Sequence, residues 1–414
     1  MNFCQSLRPI SISLSPNTEK DDILLASRLK FKPSLWKSGN AIGEIEEEFK
    51  KYLGLNYAVS FNSGRSSLMA ILGSLELGKG SEILLQAFTC NAAANPVIWN
   101  NLSPVYVDCD EETFNIDIED LRRKITSKSR ALIVQHTFGL PADMDAVLEI
   151  CNQNNLILIE DCAHSLGAEY KGKRVGTFGK ASFFSFSRDK VISSVYGGMA
   201  ATNDDELAKK IREYWEKAGY PSYFWIKQQL LHPALMDWPI LPTYKIFGKY
   251  FLILAQWLRV LSKAVHWREK RGMRPDYFPK RLPNVLAILA LNQFKKLGRF
   301  NSHRKEIADF YRKKLSNTSF ELPPEADQIY LRFSVKHPKA HEIIDKAWQN
   351  NLLIGDWYTN PVAPYDTKID KLKYIIGSCP KAEVLSGKTL NLPTHINISK
   401  QEAEKIVYFI KQWK

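Results

Sequence analysis

Apolar and polar positions along the chain alternate between two periods. From Ile42, the spacing of Ile45, Phe49, Tyr52 and Leu53 predicts an amphipathic helix, which Gly54 ends before a strand at 57–61. Strands at 82–86, 105–108 and 131–135 alternate with helices at 118–125 and 144–153, a βαβ rhythm that predicts a mainly parallel sheet. The continuous apolar run Leu156-Ile157-Leu158-Ile159 reads as a strand covered on both faces, ending in Glu160 and Asp161. Further strands at 181–186 and 199–202 are joined through Tyr196-Gly197-Gly198, and a helix follows at 203–219. After residue 283 the pattern changes: helices at 283–297, 301–315, 341–350 and 400–413 surround strands at 329–335 and 353–355, a smaller α+β unit.

Three places along this pattern carry candidate chemistry. Ligands of open α/β sheets bind in the crevice outside the carboxyl ends of the strands. Asp161 and Lys190 both follow strand ends, so each is a candidate contact to one bound group; Ser185 closes the strand before Lys190. The bland alternatives stand beside this: a carboxylate after a strand caps a helix, and a lysine there is a solvated charge. The turn Asn62-Ser63-Gly64-Arg65-Ser66-Ser67 opens a helix predicted over 68–75. Unpaired N–H groups and close backbone approach at Gly64 make it a phosphate cradle or a plain capped turn. An acid, a lysine and phosphate donors are together what pyridoxal phosphate requires of a protein.

Composition narrows the class. The chain has 414 residues, 45% hydrophobic and 24% charged, enough for two domains of an ordinary globular protein. Six cysteines without a C-x-x-C pair, and no leading signal-like segment, predict a reducing cytoplasm. The net charge of +13 is concentrated: residues 221–282 hold eleven Lys or Arg against three acids, and four of the ten tryptophans. No zinc-finger or ribonucleoprotein signature accompanies it, which argues against nucleic acid. Between 245 and 265, Lys245, Lys249, Gln256, Arg259 and Lys263 share one helical stripe opposite Phe247, Phe251, Leu254, Leu258 and Leu261. Two expectations follow for that helix: its apolar face packs on the body or a partner subunit, or it lies on an anionic membrane surface.

The block EDCAHSLGAEYKGKRVGTFGKASFFSFSRDK at 160–190, with FNSGRSSLMAIL at 61–72, HTFGLPADMDAV at 136–147 and LNLPTHINIS at 390–399, resembles the DegT-type (DegT/DnrJ/StrS) sugar aminotransferases. The resemblance covers most of the chain and implies a fold type I pyridoxal phosphate-dependent transferase. Its large domain carries a mainly parallel seven-stranded sheet, beside a smaller C-terminal α+β domain. The corresponding division is an N-terminal arm at 1–35, a cofactor domain at 36–220, the basic insertion at 221–282 and the small domain at 283–414. By the same resemblance Lys190 is the catalytic amine that attaches the cofactor, and Asp161 holds the pyridine nitrogen protonated. Phe88 stacks on the ring, His164 touches the ring hydroxyl, and the turn at Gly64 with Ser185 surrounds the phosphate; Arg65 adds a bidentate phosphate contact there or points toward the substrate or a neighbouring subunit.

What the resemblance implies for activity is amino transfer from an amino acid, usually glutamate, to a nucleotide-linked keto-sugar. The setting is surface-polysaccharide or amino-sugar biosynthesis, in a homodimer whose partner completes the cleft. A dehydratase of the same family is the alternative, but those enzymes characteristically have histidine where this chain has Lys190. A catalytically silent cofactor-binding regulator is a further alternative, kept open by three departures from the family pattern. Arg65 stands where Thr is usual, Tyr196 replaces an acidic or small residue, and the asparagine given to the partner subunit is absent near 215–225.

Overall fold

In the computed structural model, which describes residues 7–413, the large sheet has seven strands. They are β1 (Tyr57–Phe61), β2 (Glu82–Gln86), β3 (Ser103–Val107), β4 (Ser129–Gln135), β5 (Ile157–Asp161), β6 (Ala181–Ser185) and β7 (Gly198–Thr202). Their spatial order is β1-β7-β6-β5-β4-β2-β3. All neighbours pair in parallel except β7, which runs antiparallel to both β1 and β6. The fold-class expectation is therefore met strand for strand.

Period-two alternation assigns each side chain to a face. Leu84, Leu132 and Leu158 pack with Met144, Val147 and Ile150 on one side of the sheet. Ile83, Leu85, Ile133 and Ile159 pack with Leu68, Ala70 and Ile71 on the other. Both faces are covered, which is why the central strands read as unbroken apolar runs. The same alternation separates the two acids at the end of β5. Glu160 turns away from the cleft and accepts hydrogen bonds from the backbone N–H of Gly176 (2.6 Å), Phe178 (2.7 Å) and Gly179 (2.7 Å), with His136 at 3.3 Å. A buried carboxylate bonded this fully is structural. Asp161 alone faces the cleft.

The helix at Ala41–Leu53 ends as predicted, with Gly54 left-handed at φ 70°. It packs against the helix Asn284–Phe294 and against Phe184 and Phe186, on the face of β6 opposite Ser185. The C-terminal unit has its own core, built from Ile307, Tyr311, Phe333, Ile343, Leu392, Ile406 and neighbours. Helix Asn284–Phe294 and the stretch around Tyr358, Val362, Leu372 and Leu385 instead share hydrophobic clusters with the large sheet.

The segment 221–282 departs from its predicted form. The single helix expected over 245–265 is a π-turn at Tyr244–Gly248 followed by a short α-helix at Lys249–Trp257, interrupted at Arg259 with φ 59°. Packing on the body of the chain is also not observed: Phe247, Phe251, Leu254 and Leu258 are exposed, and only Leu261 of the expected apolar face is buried.

Candidate active site

Six of the seven residues singled out from sequence, Gly64, Arg65, Asp161, His164, Ser185 and Lys190, line one cavity at the carboxyl edge of the sheet. Parallel pairing brings them there: Phe183 of β6 sits opposite Asp161 of β5, so Ser185 and the loop to Lys190 extend just past the acid. Asp161, Phe183 and Ser185 share the sheet face covered by the helix Gly64–Ser74, whose first turn opens into the same cavity.

That first turn is built for close approach. Ser63 caps it, its hydroxyl accepting from Ser66 N (3.1 Å) and its carbonyl from Ser67 N (3.1 Å). The N–H groups of Gly64 and Arg65 are left for an anion. A Cβ on Gly64 would lie 3.1 Å from Ser185 Cβ, and one on Gly198 would lie 2.4 Å from the Ser63 carbonyl carbon. Glycine at both positions lets β6 and β7 press against the cradle.

Burial sets the electrostatics. Desolvation raises the Asp161 carboxyl to about 6, against the pull of the Ala163 N–H (3.0 Å) and the charges of Lys190 and His136. An acid held in so dry a place is short of a cationic partner, as a protonated pyridine nitrogen would be. The Lys190 amine is shifted below its ordinary value, chiefly by desolvation, and lies 4.5 Å from the Trp357 ring centroid. It makes no ion pair among the described residues. His164 is pushed well below the imidazole range by burial and stacks between Phe138 and Trp357. Its Nδ1 accepts from the Phe138 N–H, so the neutral ring carries its proton on Nε2, facing the Tyr358 hydroxyl.

Two of the expected contacts take a different form. Phe88 does not line the cavity; it is fully buried, stacked on Phe114 at 5.3 Å and edge-on to Phe138 and Tyr358. Arg65 reaches the cavity, but its Nε lies 2.9 Å from the buried Glu269 carboxylate and its Nη2 donates to Ala264 O. Its charge is thus directed into the insertion. The Tyr196 hydroxyl does the same, donating to Lys263 O at 2.7 Å.

Several residues in or beside the cavity were missed from sequence. Arg188 donates to Ser262 O (2.8 Å) and Ser262 Oγ (2.6 Å), is paired with no carboxylate among the described residues, and leaves a buried Nε without a partner. Trp357 and Tyr358 enter from the C-terminal unit, and Arg332 stacks on Trp357 with an ion pair to Asp189 at 3.5 Å. From the N-terminal arm, to which sequence assigned no chemistry, Asn17 Nδ2 donates to the carbonyls of Lys190 and Val191. Arg188 stands inside the 160–190 block, two residues before Lys190; Asn17, Arg332, Trp357 and Tyr358 lie outside the quoted blocks and are brought in by folding.

An amine and an acid converging on one buried cavity, next to a helix N-terminus, on a seven-stranded sheet, define a fold type I pyridoxal phosphate-dependent enzyme. The chain belongs to the DegT/DnrJ/EryC1/StrS aminotransferase family, whose sequence profile matches residues 18–227 and 255–411. Similarity to GDP-perosamine synthase of Escherichia coli O157:H7 reaches 29% identity over 390 residues, 91% of this chain and 90% of that protein. The fold matches Helicobacter pylori PseC, an aminotransferase of pseudaminic acid biosynthesis, with a TM-score of 0.75 at 21% identity over 98% of this chain and 99% of that one. It equally matches E. coli GDP-4-keto-6-deoxy-D-mannose-3-dehydratase, with a TM-score of 0.74 at 21% identity over 98% and 99% of the two chains. Pyridoxal phosphate is the cofactor of this enzyme, and the residues fit it. Lys190 and Asp161 would offer it an amine and an acid, and the first turn at Gly64 with Ser185 would offer N–H and hydroxyl donors, all lining the one cavity.

Proposed function

We propose that this chain moves an amino group from an amino acid, with glutamate the donor, to the keto carbon of a nucleotide-linked sugar. The observation that carries this reading is the pair formed by Lys190 and Asp161 in one buried cavity. Bound pyridoxal phosphate supplies an electron sink for charge developing at the donor α-carbon. Asp161 keeps the proton on the ring nitrogen, and His164 with Trp357 borders the ring's space and excludes water. Lys190 Nζ, its proton affinity lowered by burial, takes the donor's α-proton. In the second half it returns a proton to the sugar carbon that becomes amine-bearing.

The nucleotide-linked acceptor is supported by Arg188, a cavity cation in ion-pair contact with no carboxylate among the described residues and with one N–H unspent. An anionic diphosphate matches that donor set. The similar GDP-perosamine synthase is tied by its name to a GDP-linked sugar. The fold is shared with a dehydratase, so it does not separate the two reactions; Lys190 supports transfer. The proposal includes a homodimer in the cytoplasm, in keeping with five free thiols among the described residues.

The test is incubation of the purified holoenzyme with glutamate and a panel of nucleotide-linked 3-keto and 4-keto hexoses, with products identified by mass spectrometry. Amination of one member, absent in Lys190→Ala, is expected. Loss of a sugar hydroxyl without gain of nitrogen, or full turnover by Lys190→Ala, would overturn the proposal. Sedimentation at working concentration should give twice the mass of the chain.

A further inference from the structure

Residues 228–254 fall outside both stretches matched by the family profile, so they are an addition to the shared body. They share a small core with the N-terminal arm and the residues just after them: Met236, Ile240, Leu241, Ala255 and Leu261 bury against Leu14, Leu231 and Leu252. That core consumes only one face. On the other, Ile246, Phe247, Tyr250, Ile253, Leu254, Trp257 and Leu258 follow one another at three- and four-residue spacing, and all are exposed. Tyr250 is 69% and Trp257 76% accessible, and the nearby Trp238 is 81%. Water-facing apolar surface of this extent on one segment marks a site of interaction.

Charge selects the occupant. From Trp238 to Arg268 the sequence holds Lys245, Lys249, Arg259, Lys263 and Arg268 and no acid. The acid just before it, Asp237, is paired with Arg8 at 3.3 Å. A second copy docking face to face would set cations against cations across a two-fold axis. Apolar and indole side chains fringed by Lys and Arg instead match a surface that is apolar below and anionic above. Among the described residues no helix is long and apolar enough to cross a membrane.

We infer that this face seats the protein on the surface of an anionic lipid bilayer, with Trp257 and Tyr250 entering the interface and Lys249 and Arg259 meeting the headgroups. The seat adjoins the catalytic cleft. Ala264 and Val265 line the cavity, Ser262 holds Arg188, and Lys263 O accepts from Tyr196, all within eight residues of Trp257. Docking therefore brings the rim of the cleft to the bilayer, where an enzyme that consumes an amino sugar on a membrane-bound acceptor would receive the product.

The inference is tested with the full-length holoenzyme in flotation with phosphatidylcholine vesicles, with and without phosphatidylglycerol, at low and high salt. Binding is expected only with phosphatidylglycerol and should weaken at high salt. Tyr250→Ser with Trp257→Ser should abolish it, and Lys249→Glu with Arg259→Glu should weaken it by about tenfold or more. Circular dichroism and cofactor absorbance report whether each variant remains folded. Failure to float with either vesicle, or undiminished flotation of folded variants, would overturn the inference. So would a fall in lipid-free oligomeric mass in the Tyr250, Trp257 variant, which would assign the face to a second copy. Amino transfer is read from product mass, so loss of lipid binding and loss of the catalytic proposal are separate results.

Discussion

Arg65 Nε lies 2.9 Å from the Glu269 carboxylate, joining the first turn of the helix Gly64–Ser74 to the basic insertion. Burial opposes both charges, and the proximity of Glu269 leaves the guanidinium more firmly protonated than usual. Removing one member of a buried pair strands the other. Glu269→Gln should therefore lower stability by about 3 kcal/mol in urea unfolding. Arg65→Thr combined with Glu269→Gln should recover much of that loss. Equal and additive losses in the two single variants would show that the pair is not coupled.

Asp161 governs a pH dependence of the cofactor-free protein. Its folded carboxyl is raised from 3.8 to about 6, so the folded chain holds this proton more tightly than the unfolded chain. The resulting stability is present below the unfolded value and is lost as pH rises through about 6. At most about 3 kcal/mol is involved, at 1.36 kcal/mol for each unit. Cofactor-free Asp161→Asn should be more stable than the parent at pH 8, by an amount that shrinks toward pH 4, in thermal melts across that range. A difference independent of pH would contradict it. The same variant should bind pyridoxal phosphate more weakly, because a neutral amide does not hold the ring nitrogen protonated.

Gly198→Ala probes the cradle. The new Cβ would meet backbone atoms of Ser63 and Gly64 at 2.4 and 2.5 Å, which cannot move aside as a flexible side chain does. A stability loss of about 2 kcal/mol, of the size seen for overpacking, is expected, with weaker phosphate binding measured as release of cofactor on dilution. Unchanged cofactor retention would mean that this turn does not hold the phosphate.

Asn17 reaches from the N-terminal arm to the carbonyls of Lys190 and Val191, and buried Arg304 donates to the Val191 carbonyl and to Asn17 Oδ1. Asn17→Ala should cost about 1–2 kcal/mol and lower kcat with little change in the donor KM. It should also slow borohydride trapping of the cofactor on Lys190, followed by peptide mass spectrometry. A variant with wild-type trapping and a raised KM would place Asn17 in substrate binding instead.

The strands were legible because both faces of the sheet are covered: Leu156 to Ile159 could only be a central strand once its length and its flanking acids were considered. Gly54 was legible because a helix that ends in a left-handed residue favours glycine. The insertion was not. Its composition announced a basic amphipathic helix, yet π-turns and the break at Arg259 depend on how Ile240, Ala255 and Leu261 pack, which periodicity does not encode. The pairing of Arg65 with Glu269 was not legible, because that partner lies 204 positions away in the chain.

By itself the sequence determined the sheet, the family and that Asp161 and Lys190 stand at neighbouring strand ends, because these rest on local periodicity and on residues next to strand ends. Tertiary structure decided which of two adjacent acids faces the cleft, where the charge of Arg65 goes, and that Asn17 and Trp357 join Lys190. Those outcomes depend on strand pairing and on contacts between distant segments, whose partners are chosen only when the chain closes around one core.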